Sequence, residues 1–336
     1  MKNPILDRFY NRNRFAVILA GGDGTRLRPF VHRLRGDSLP KQYVKFFNNQ
    51  SLLDVTLHRI RRLVPSEKQF VVVTENHFDH PEVAQQLNSH PAVGVTVQPR
   101  NRDTGLGLLL PLAQLHRRHP DAIVAVFPSD HFIEQEGLFL THVEAAYNFV
   151  ERENSKIVLL GIAPTAPEID YGYILPNNRW HNAFPFGARE VARFIEKPDA
   201  ILARKLILRS GFWNTMVMVF KVSTLIEHVR TIIPQAYRMF EQTDEARITT
   251  EIEKRVKRAF DEIAPFNLSK DFLETLAAQQ RRALVVLPVR GVHWTDWGSE
   301  ERILKTVKLT KDTCIGLESS GAAFNSLLKE CVAGSA

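Results

Sequence analysis

Several features that mark common classes of protein are missing from this 336-residue chain. It holds only two cysteines, Cys314 and Cys331, which are too few for a disulfide scaffold and too isolated for a zinc cluster. No apolar run approaches the roughly 18 residues that span a bilayer, and the basic N-terminal stretch has no continuous apolar segment of the signal-peptide type. We therefore expect a cytoplasmic protein that does not act at a membrane.

Signatures of nucleic-acid binding are missing as well. The sequence shows no zinc-finger spacing, no RNA-recognition signature and no basic stripe interleaved with aromatic residues. The net charge of +7 is unevenly distributed: residues 1–69 carry +9, so the other 267 residues carry −2. Part of the excess lies on a predicted helix, where a solvated face is the simpler interpretation. A small anionic partner is favoured, and nucleic acid is the weaker alternative.

What the chain does contain, from Phe15 onward, is an alternation of short β-branched runs with helical patterns. The runs predict strands at 15–20, 69–74, 93–98, 122–127 and 156–162, and the apolar spacing predicts helices at 51–64, 105–119 and 142–153. Ser51 followed by Asp54 is a plausible cap for the first of these helices. The alternation predicts an α/β fold with a Rossmann-like, mostly parallel sheet flanked by helices.

The character of the sequence changes after about Gly161, where prolines and aromatics come closer together. Further strands are predicted within 163–187 and at 189–196, 216–222 and 283–289, with a helical block at 223–280 and a final helix. These patterns predict an extension at 1–13, a single domain at 14–310 and a tail at 311–336. Within the domain, residues 14–165 form a nucleotide-binding half, and residues 166–310 form the half that binds the second substrate. No hexapeptide repeats occur, so we expect no C-terminal β-helix.

The segment LAGGDGTRLRPF, residues 19–30, directly follows the first predicted strand. Its glycines allow close backbone approach, so that N–H groups can face phosphate oxygens, and Arg26 and Arg28 add cationic donors. It is not the dinucleotide fingerprint, because Leu27 stands where the third glycine belongs, and it lacks the Gly-Lys-Ser/Thr of a P-loop. On the glycines alone, a plain turn and a phosphate-binding loop are equally good interpretations.

Polar residues follow other predicted strands, at the edge where open parallel sheets bind ligands. Gln98 could contact a base edge, and Asp130 and Asp296 could hold a hard cation against a phosphate. Two isolated aspartates are weak evidence, since loop-capping is the commoner role. The neighbouring His131 and His293 are better explained as hydrogen-bonded polar residues than as metal ligands.

Taken together, these segments resemble the sugar-1-phosphate nucleotidylyltransferases, and within them the mannose-1-phosphate guanylyltransferases. The matching segments, in family order, are LAGGDGTRLRP, LPKQYVKF, QPRNRDTG, FPSDHFI, DYGYI, FIEKP, GFWNTMVMVF and WTDWGS. The resemblance covers about Arg14 to Lys308, which is nearly the whole chain. One glycine loop would be weak evidence, whereas eight motifs in order are strong evidence.

The resemblance implies an enzyme that transfers a nucleoside monophosphate from an NTP, here GTP, to a sugar 1-phosphate, here mannose 1-phosphate. Attack on the α-phosphate is in line, pyrophosphate leaves, and Mg²⁺ is the cofactor. The implied catalytic residues are Arg26 and Lys41, and the implied metal ligands are Asp130 and Asp296. The implied nucleotide site consists of Leu19, Ala20, Gly21, Gly22, Gly24, Thr25, Gln98, Arg102, Asp103, Thr104 and Ser129. The implied sugar-phosphate site consists of Asp130, Tyr171, Gly172, Glu196, Lys197 and Asn214. Family members often form homodimers, so a homodimer is also implied.

The chain departs from the family pattern in two places. Where the guanylyltransferases usually have R-N-T-A-P-A, this chain has R-D-T-G-L-G at 102–107, and where the wider family has W-N-S/A-G-M, Met216 takes the place of the glycine. The choice of base and sugar is therefore open. One alternative is the same chemistry with another NTP or sugar 1-phosphate. Another is a non-catalytic regulatory homologue that binds nucleotide sugars, which the retention of Arg26, Lys41, Asp130, Lys197 and Asp296 disfavours. The broken dinucleotide fingerprint disfavours a nicotinamide oxidoreductase.

Overall fold

A computed structural model describes residues 13–47, 49–180, 185–242, 250–280 and 282–313. The β-strands are β1 (Arg14–Leu19), β2 (Lys45–Phe47), β3 (Gln50–Ser51), β4 (Gln69–Thr74), β5 (Gly94–Gln98), β6 (Ile123–Pro128), β7 (Phe132–Ile133), β8 (Ile157–Ile162), β9 (Gly172–Trp180), β10 (Arg189–Glu196), β11 (Phe212–Lys221), β12 (Leu284–Val289) and β13 (Trp294–Thr295). Nine of them form one sheet, in the order β5-β4-β1-β6-β11-β8-β12-β10-β9.

Helices connect the strands and cover both faces of the sheet. The α-helices are α1 (Arg28–Arg35), α2 (Leu52–Ile60), α3 (Pro81–Asn88), α4 (Asp103–Arg118), α5 (Glu136–Arg152), α6 (Ala200–Leu208), α7 (Val222–Ile232), α8 (Pro234–Gln242), α9 (Thr250–Glu262), α10 (Glu274–Gln279) and α11 (Glu300–Thr313). A π-helix, Leu268–Leu273, leads into α10. Within the described ranges, no helix combines the length and the apolar character needed to cross a bilayer.

The first half of the sheet has the predicted parallel arrangement. Strands β5, β4, β1 and β6 are all parallel, and the chain runs from β1 outward through β4 to β5 before returning to place β6 on the other side of β1. This reversal is a topological switch point, where the loops after two neighbouring strands diverge and leave a crevice. The Rossmann-like sheet flanked by helices is thus confirmed.

The second half of the sheet is mixed. Strand β11 lies antiparallel between β6 and β8, β12 is parallel to β8, and β10 and β9 are antiparallel to their neighbours. The sheet as a whole is therefore mixed, whereas the sequence pattern predicts a mostly parallel one. The reversal of β11 brings its first residues, rather than its last, to the edge where β6 ends.

Two apolar clusters, one on each face of the sheet, form the core. Alternate residues of β1 point to opposite sides: Ala16 and Ile18 join the cluster packed under α2 and α5, whereas Phe15 and Val17 join the cluster under α4 and α7. This period-2 alternation in a fully covered strand produces the continuous apolar runs seen in the sequence.

Local signals in the sequence account for several element boundaries. Ser51 and Asp54 form a reciprocal capping box at the start of α2, as predicted, although the helix ends at Ile60 rather than at residue 64. Pro111 lies inside α4 without ending it. The segments 1–12 and 314–336 of the predicted extension and tail lie outside the described residues.

Candidate active site

Two adjoining cavities lie at the switch point between β1 and β6. The larger, of about 590 Å³, is lined by nine residues that the sequence assigned to the nucleotide site, namely Leu19, Gly21, Gly22, Gly24, Gln98, Arg102, Asp103, Thr104 and Ser129. Asp130, assigned to the metal and the sugar phosphate, lines it as well. The smaller, of about 240 Å³, is lined by Thr25, Arg26 and Lys41, and shares Gly24 and Asp130 with the larger one. Ala20 of the predicted set is fully buried behind the loop.

The glycine-rich loop is held by side chains from neighbouring elements. The amide nitrogen of Gln42 donates to the carbonyl oxygens of Ala20 and Gly22, at 2.7 and 2.8 Å, and the hydroxyl of Thr74 donates to Gly21 O at 2.8 Å. At Gly24 the backbone has φ 59°, a conformation that glycine adopts without strain. The loop thus has a fixed shape, with its carbonyl groups tied back toward the protein.

Gln98, the last residue of β5, is 2% exposed and is one of the residues that line the larger cavity. Its Nε2 donates to Thr74 Oγ1 at 2.8 Å. Because the Thr74 hydroxyl proton is already donated to Gly21 O, Thr74 Oγ1 can only accept, which fixes the orientation of the amide. Gln98 Oε1 is left buried with no hydrogen-bond partner, so a donor group is needed beside it.

Lys41 joins the loop side of the site to the segment after β12. Its ammonium lies 2.9 Å from Asp130 Oδ2 and donates to the carbonyl oxygens of Asp296 and Trp297, at 2.7 and 3.0 Å. An ammonium has three protons, so these contacts account for all of its donors. A phosphate oxygen could be bound only in exchange for one of them, and Asp130, with 31% of its side chain exposed, is the most accessible partner.

The Asp296 carboxylate lies in a cluster of donors. Tyr171 Oη and the Gly298 N–H donate to Oδ1, both at 2.9 Å, and Arg302 approaches the same oxygen at 3.1 Å. Arg302 also stacks over the Tyr171 ring and pairs with Glu168. Burial raises the pKa of the Asp296 carboxyl, but His131, Arg302 and the other nearby donors outweigh it, and the net pKa lies below the ordinary value.

The donor chemistry of Asp130 and Asp296 fits a magnesium ion. Mg²⁺ commonly takes one or two carboxylates from the protein and completes its shell with phosphate oxygens and water. Across the described ranges, no group of three or more His, Cys, Asp or Glu side chains is arranged to bind a metal. His131, predicted as a polar neighbour, accepts from Trp294 Nε1 at Nδ1. Ligation by Asp296 would compete with its ion pair to Arg302.

Arg26 is an exposed cation of the site. Its guanidinium lies 3.5 Å from Asp170 and 3.8 Å from Asp296 Oδ2, with 57% of the side chain exposed. Exposed pairs of this length contribute little to stability, on the order of 0–1 kcal/mol. Arg26 is therefore available to exchange its carboxylate partners for a phosphate.

The residues predicted for the sugar phosphate lie together beyond Tyr171. Gly172 at the start of β9 pairs with Glu196 at the end of β10, and a Cβ on Gly172 would lie 2.6 Å from Glu196 Oε2 and 3.4 Å from Asn214 Cβ. The Lys197 N–H donates to Tyr171 O, and Lys197 adopts φ 48°, a strained conformation for a side chain of this type. Burial raises the pKa of the Glu196 carboxyl to about 6, with Lys197 opposing the shift.

Several residues of the site were not assigned from the sequence. They are Gln42 and Thr74, which hold the glycine loop, and Glu168, Asp170 and Arg302, which surround Asp296. Gln42 and Asp170 lie in the quoted segments, and Thr74 ends a strand, so all three carry a signal in the sequence. Arg302 carries no such signal, because its contact with Asp296 depends on the turn from Gly298 into α11.

Comparison with known proteins agrees with this geometry. The family model described as nucleotidyl transferase matches residues 15–312. The chain belongs to the nucleotidyl transferase family. The resemblance recognised from its motifs is confirmed.

Two curated relatives and one solved structure are informative. The chain is 35% identical over 221 residues to the xanthan biosynthesis protein XanB of Xanthomonas campestris pv. campestris, covering 65% of this chain and 44% of that protein. It is 28% identical over 315 residues to mannose-1-phosphate guanylyltransferase 2 of Escherichia coli O157:H7, covering 90% and 62%. This nucleotidyl transferase chain thus spans about half the length of the curated relatives it matches.

The solved structure supports the fold. It is described as mannose-1-phosphate geranyltransferase from Thermus thermophilus, and it superposes with a TM-score of 0.73 at 23% identity, covering 88% of this chain and 79% of that one.

Proposed function

We propose that this nucleotidyl transferase chain transfers GMP from GTP to mannose 1-phosphate, releasing pyrophosphate. The observation that carries the proposal is the junction of the two cavities, which share Gly24 and Asp130 and so place a nucleotide-sized crevice beside a pocket lined by Arg26 and Lys41. The names of the relatives support the choice of substrates.

Guanine is compatible with the orphan acceptor of Gln98, a residue that lines the larger cavity. Gln98 Oε1 is buried and fixed as an acceptor, so a base that presents N–H groups would satisfy it. Guanine offers both N1–H and the N2 amino group on one edge. A site with an unpaired buried acceptor discriminates against a base that offers no donor there, at a cost on the order of 1–3 kcal/mol.

The reaction brings two anions together, so positive charge has to dominate the site. In this proposal Arg26 leaves Asp170 and binds the β and γ phosphates. Lys41 exchanges Asp130 for an oxygen of the α-phosphate, while its two bonds to backbone carbonyls keep its direction. The phosphate of the sugar then attacks the α-phosphorus in line, with Lys197 beside it and Glu196 accepting from sugar hydroxyls.

We also propose that Asp130 and Asp296 hold the Mg²⁺ on which the reaction depends. Bound there, the ion would neutralise charge on the phosphate oxygens and on the departing pyrophosphate. Its ligation by Asp130 would at the same time release Lys41 for the substrate. We expect Asp130→Asn and Asp296→Asn each to remove Mg²⁺-dependent turnover while leaving the fold intact; full activity in either variant would refute that role.

The decisive experiment is a pyrophosphate-release assay that crosses GTP, ATP, UTP, CTP and dTTP with the 1-phosphates of mannose, glucose and related sugars. The proposal expects the highest kcat/KM for GTP with mannose 1-phosphate. A different best pair would keep the chemistry and correct the substrates. No turnover with any pair would favour the regulatory homologue. The cytoplasmic location and the homodimer stay predictions.

A further inference from the structure

The two departures from the family motifs meet at one place in the structure. The segment Pro265–Ser269, here called the wall segment, follows α9 and packs against the first turn of α4. Pro265 and Met216 line the larger cavity together with Asp103 and Thr104 of that turn. The wall segment therefore forms part of the lining of the crevice proposed for the nucleotide.

Asp103, the first departure, binds the wall segment directly. The amide nitrogen of Asn267 donates to both carboxylate oxygens of Asp103, at 3.2 and 3.3 Å. Asp103 has φ 69°, a left-handed conformation held by two local bonds: the Thr104 N–H donates to its carboxylate, and its own N–H donates to Asn101 Oδ1. Strained backbone of this kind persists only where surrounding contacts fix it.

Gly105, in the same departure, makes room for the wall segment. Its N–H donates to Phe266 O at 3.2 Å, and a Cβ at this position would overlap the Phe266 ring. The buried ring thus packs against bare backbone, which the alanine usual in the family would not permit without a shift. Thr104 adds a further bond, since its hydroxyl oxygen accepts from Leu268 N at 3.3 Å.

Met216, the second departure, meets the other end of the wall segment. It adopts φ 60° at a bulge of β11, where the family has glycine, and Asn214 Oδ1 accepts its N–H. The Met216 sulfur lies 3.2 Å from Ser269 Oγ. A side chain therefore fills space that a glycine would leave open, and it is held between the sheet and the wall segment.

We propose that the wall segment selects the nucleoside in this chain, with Asp103, Thr104 and Gly105 as positioning residues that hold it against the cavity. Gln98 contacts one side of the base, and Pro265 and Met216 limit the space on the other side. Discrimination among nucleoside triphosphates then depends on residues 102–107 and on the wall segment as one unit. This inference rests on the proposed function.

A swap of the Asp103 and Asn267 side chains tests the proposal. Asn267→Asp places two carboxylates together yet keeps the oxygen that caps the π-helix, where Asn267 Oδ1 accepts from the backbone of Ser269 and Lys270. The double variant Asp103→Asn/Asn267→Asp restores an amide–carboxylate pair in reverse. Lys270→Ala, at the exposed position that directly follows the wall segment, is the matched control.

Binding is measured by calorimetry with GTP, ATP and UTP in the absence of sugar phosphate, alongside thermal unfolding. We expect Asn267→Asp to weaken binding of the preferred triphosphate by about tenfold and to narrow its preference over the others, as coupled neighbours do. The double variant should recover both the affinity and the preference among triphosphates, and Lys270→Ala should match the wild type in both. If Asn267→Asp does not fold, Gly105→Ala replaces it in the test. This variant displaces the Phe266 ring and should show the same loss of affinity and preference.

Two outcomes would contradict the proposal and are distinguishable. If the variants lower only the unfolding temperature while affinity and preference among triphosphates stay as in the wild type, the wall segment is structural and does not select the nucleoside. If the wild type itself binds none of the three triphosphates, the proposed function fails, and the selection role fails with it.

Discussion

Lys41 and Asp130 form an ion pair whose two partners have unequal structural roles, and Lys41→Met tests this difference. The ammonium is nearly buried, with 6% of its side chain exposed, and it supplies the bonds to the carbonyl oxygens of Asp296 and Trp297. Methionine matches the length of lysine but donates nothing. The substitution therefore leaves two carbonyl groups without this partner and Asp130 without its cation.

The expected cost of Lys41→Met follows from these contacts. Each buried carbonyl that loses its donor costs about 1–3 kcal/mol, and the pair with the partly exposed Asp130 adds about 1 kcal/mol or less. Removing a buried charge also removes its desolvation penalty, which offsets part of the sum. We expect a net loss of about 2–4 kcal/mol. Asp130→Asn keeps both carbonyl bonds and should cost about 1 kcal/mol or less.

Urea unfolding followed by circular dichroism gives the free energies of unfolding, and pyrophosphate release gives the rates. We expect both variants to lose activity, by about 10²- to 10³-fold for removal of one positioned donor. Only Lys41→Met should be strongly destabilised. Equal destabilisation of the two variants, or a Lys41→Met protein as stable as the wild type, would refute the assignment of these contacts.

Three further predictions concern the other side of the site. Burial raises the pKa of Glu196 to about 6, so its carboxyl ionises at lower pH in the unfolded chain than in the folded protein. The folded protein should therefore lose about 1 kcal/mol of stability between pH 5 and 7 relative to Glu196→Gln. Urea unfolding of both proteins at these two pH values measures the loss, and parallel profiles would contradict it. Arg302→Met removes the cation beside the buried Asp296 and should lower the free energy of unfolding by about 2–4 kcal/mol. Arg302→Lys keeps a cation there and should lower it by less. Equal melting temperatures for the wild type and the two variants would argue against the pairing. Gly172→Ala places a methyl group 2.6 Å from the Glu196 carboxylate and should raise KM for the sugar phosphate while leaving KM for the triphosphate unchanged; an unchanged KM for both would place the sugar elsewhere.

Much of the first half of the fold could be predicted from the sequence because its signals are local. The run FAVILA, the glycine loop after it and the polar residues after later strands all follow from pattern and position along the chain. The direction of β11 could not be predicted, since a buried strand has the same apolar run whether it is parallel or antiparallel to its neighbours. The left-handed backbone of Met216 could not be predicted either, because it lies at a bulge, and a bulge depends on the register between β11 and its neighbour.

Contacts between distant segments were beyond the reach of the sequence. Arg302 meets Asp296 only because the chain turns at Gly298, and Gly105 gives no sign of Phe266, which lies far along the chain.

The nine-stranded sheet has a consequence for how two substrates could meet. Strands that carry the residues proposed for the nucleotide and for the sugar phosphate share one hydrogen-bonded sheet, with β11 joined to β6 on one side and to β8 on the other. Opening or closing the two halves as rigid bodies would break that ladder, so the strand spacing sets the separation between the two sites. Adjustment is left to the loops at the sheet edge, where exchange of ion-pair partners by Arg26 and Lys41 could change the local charge while the backbone stays in place.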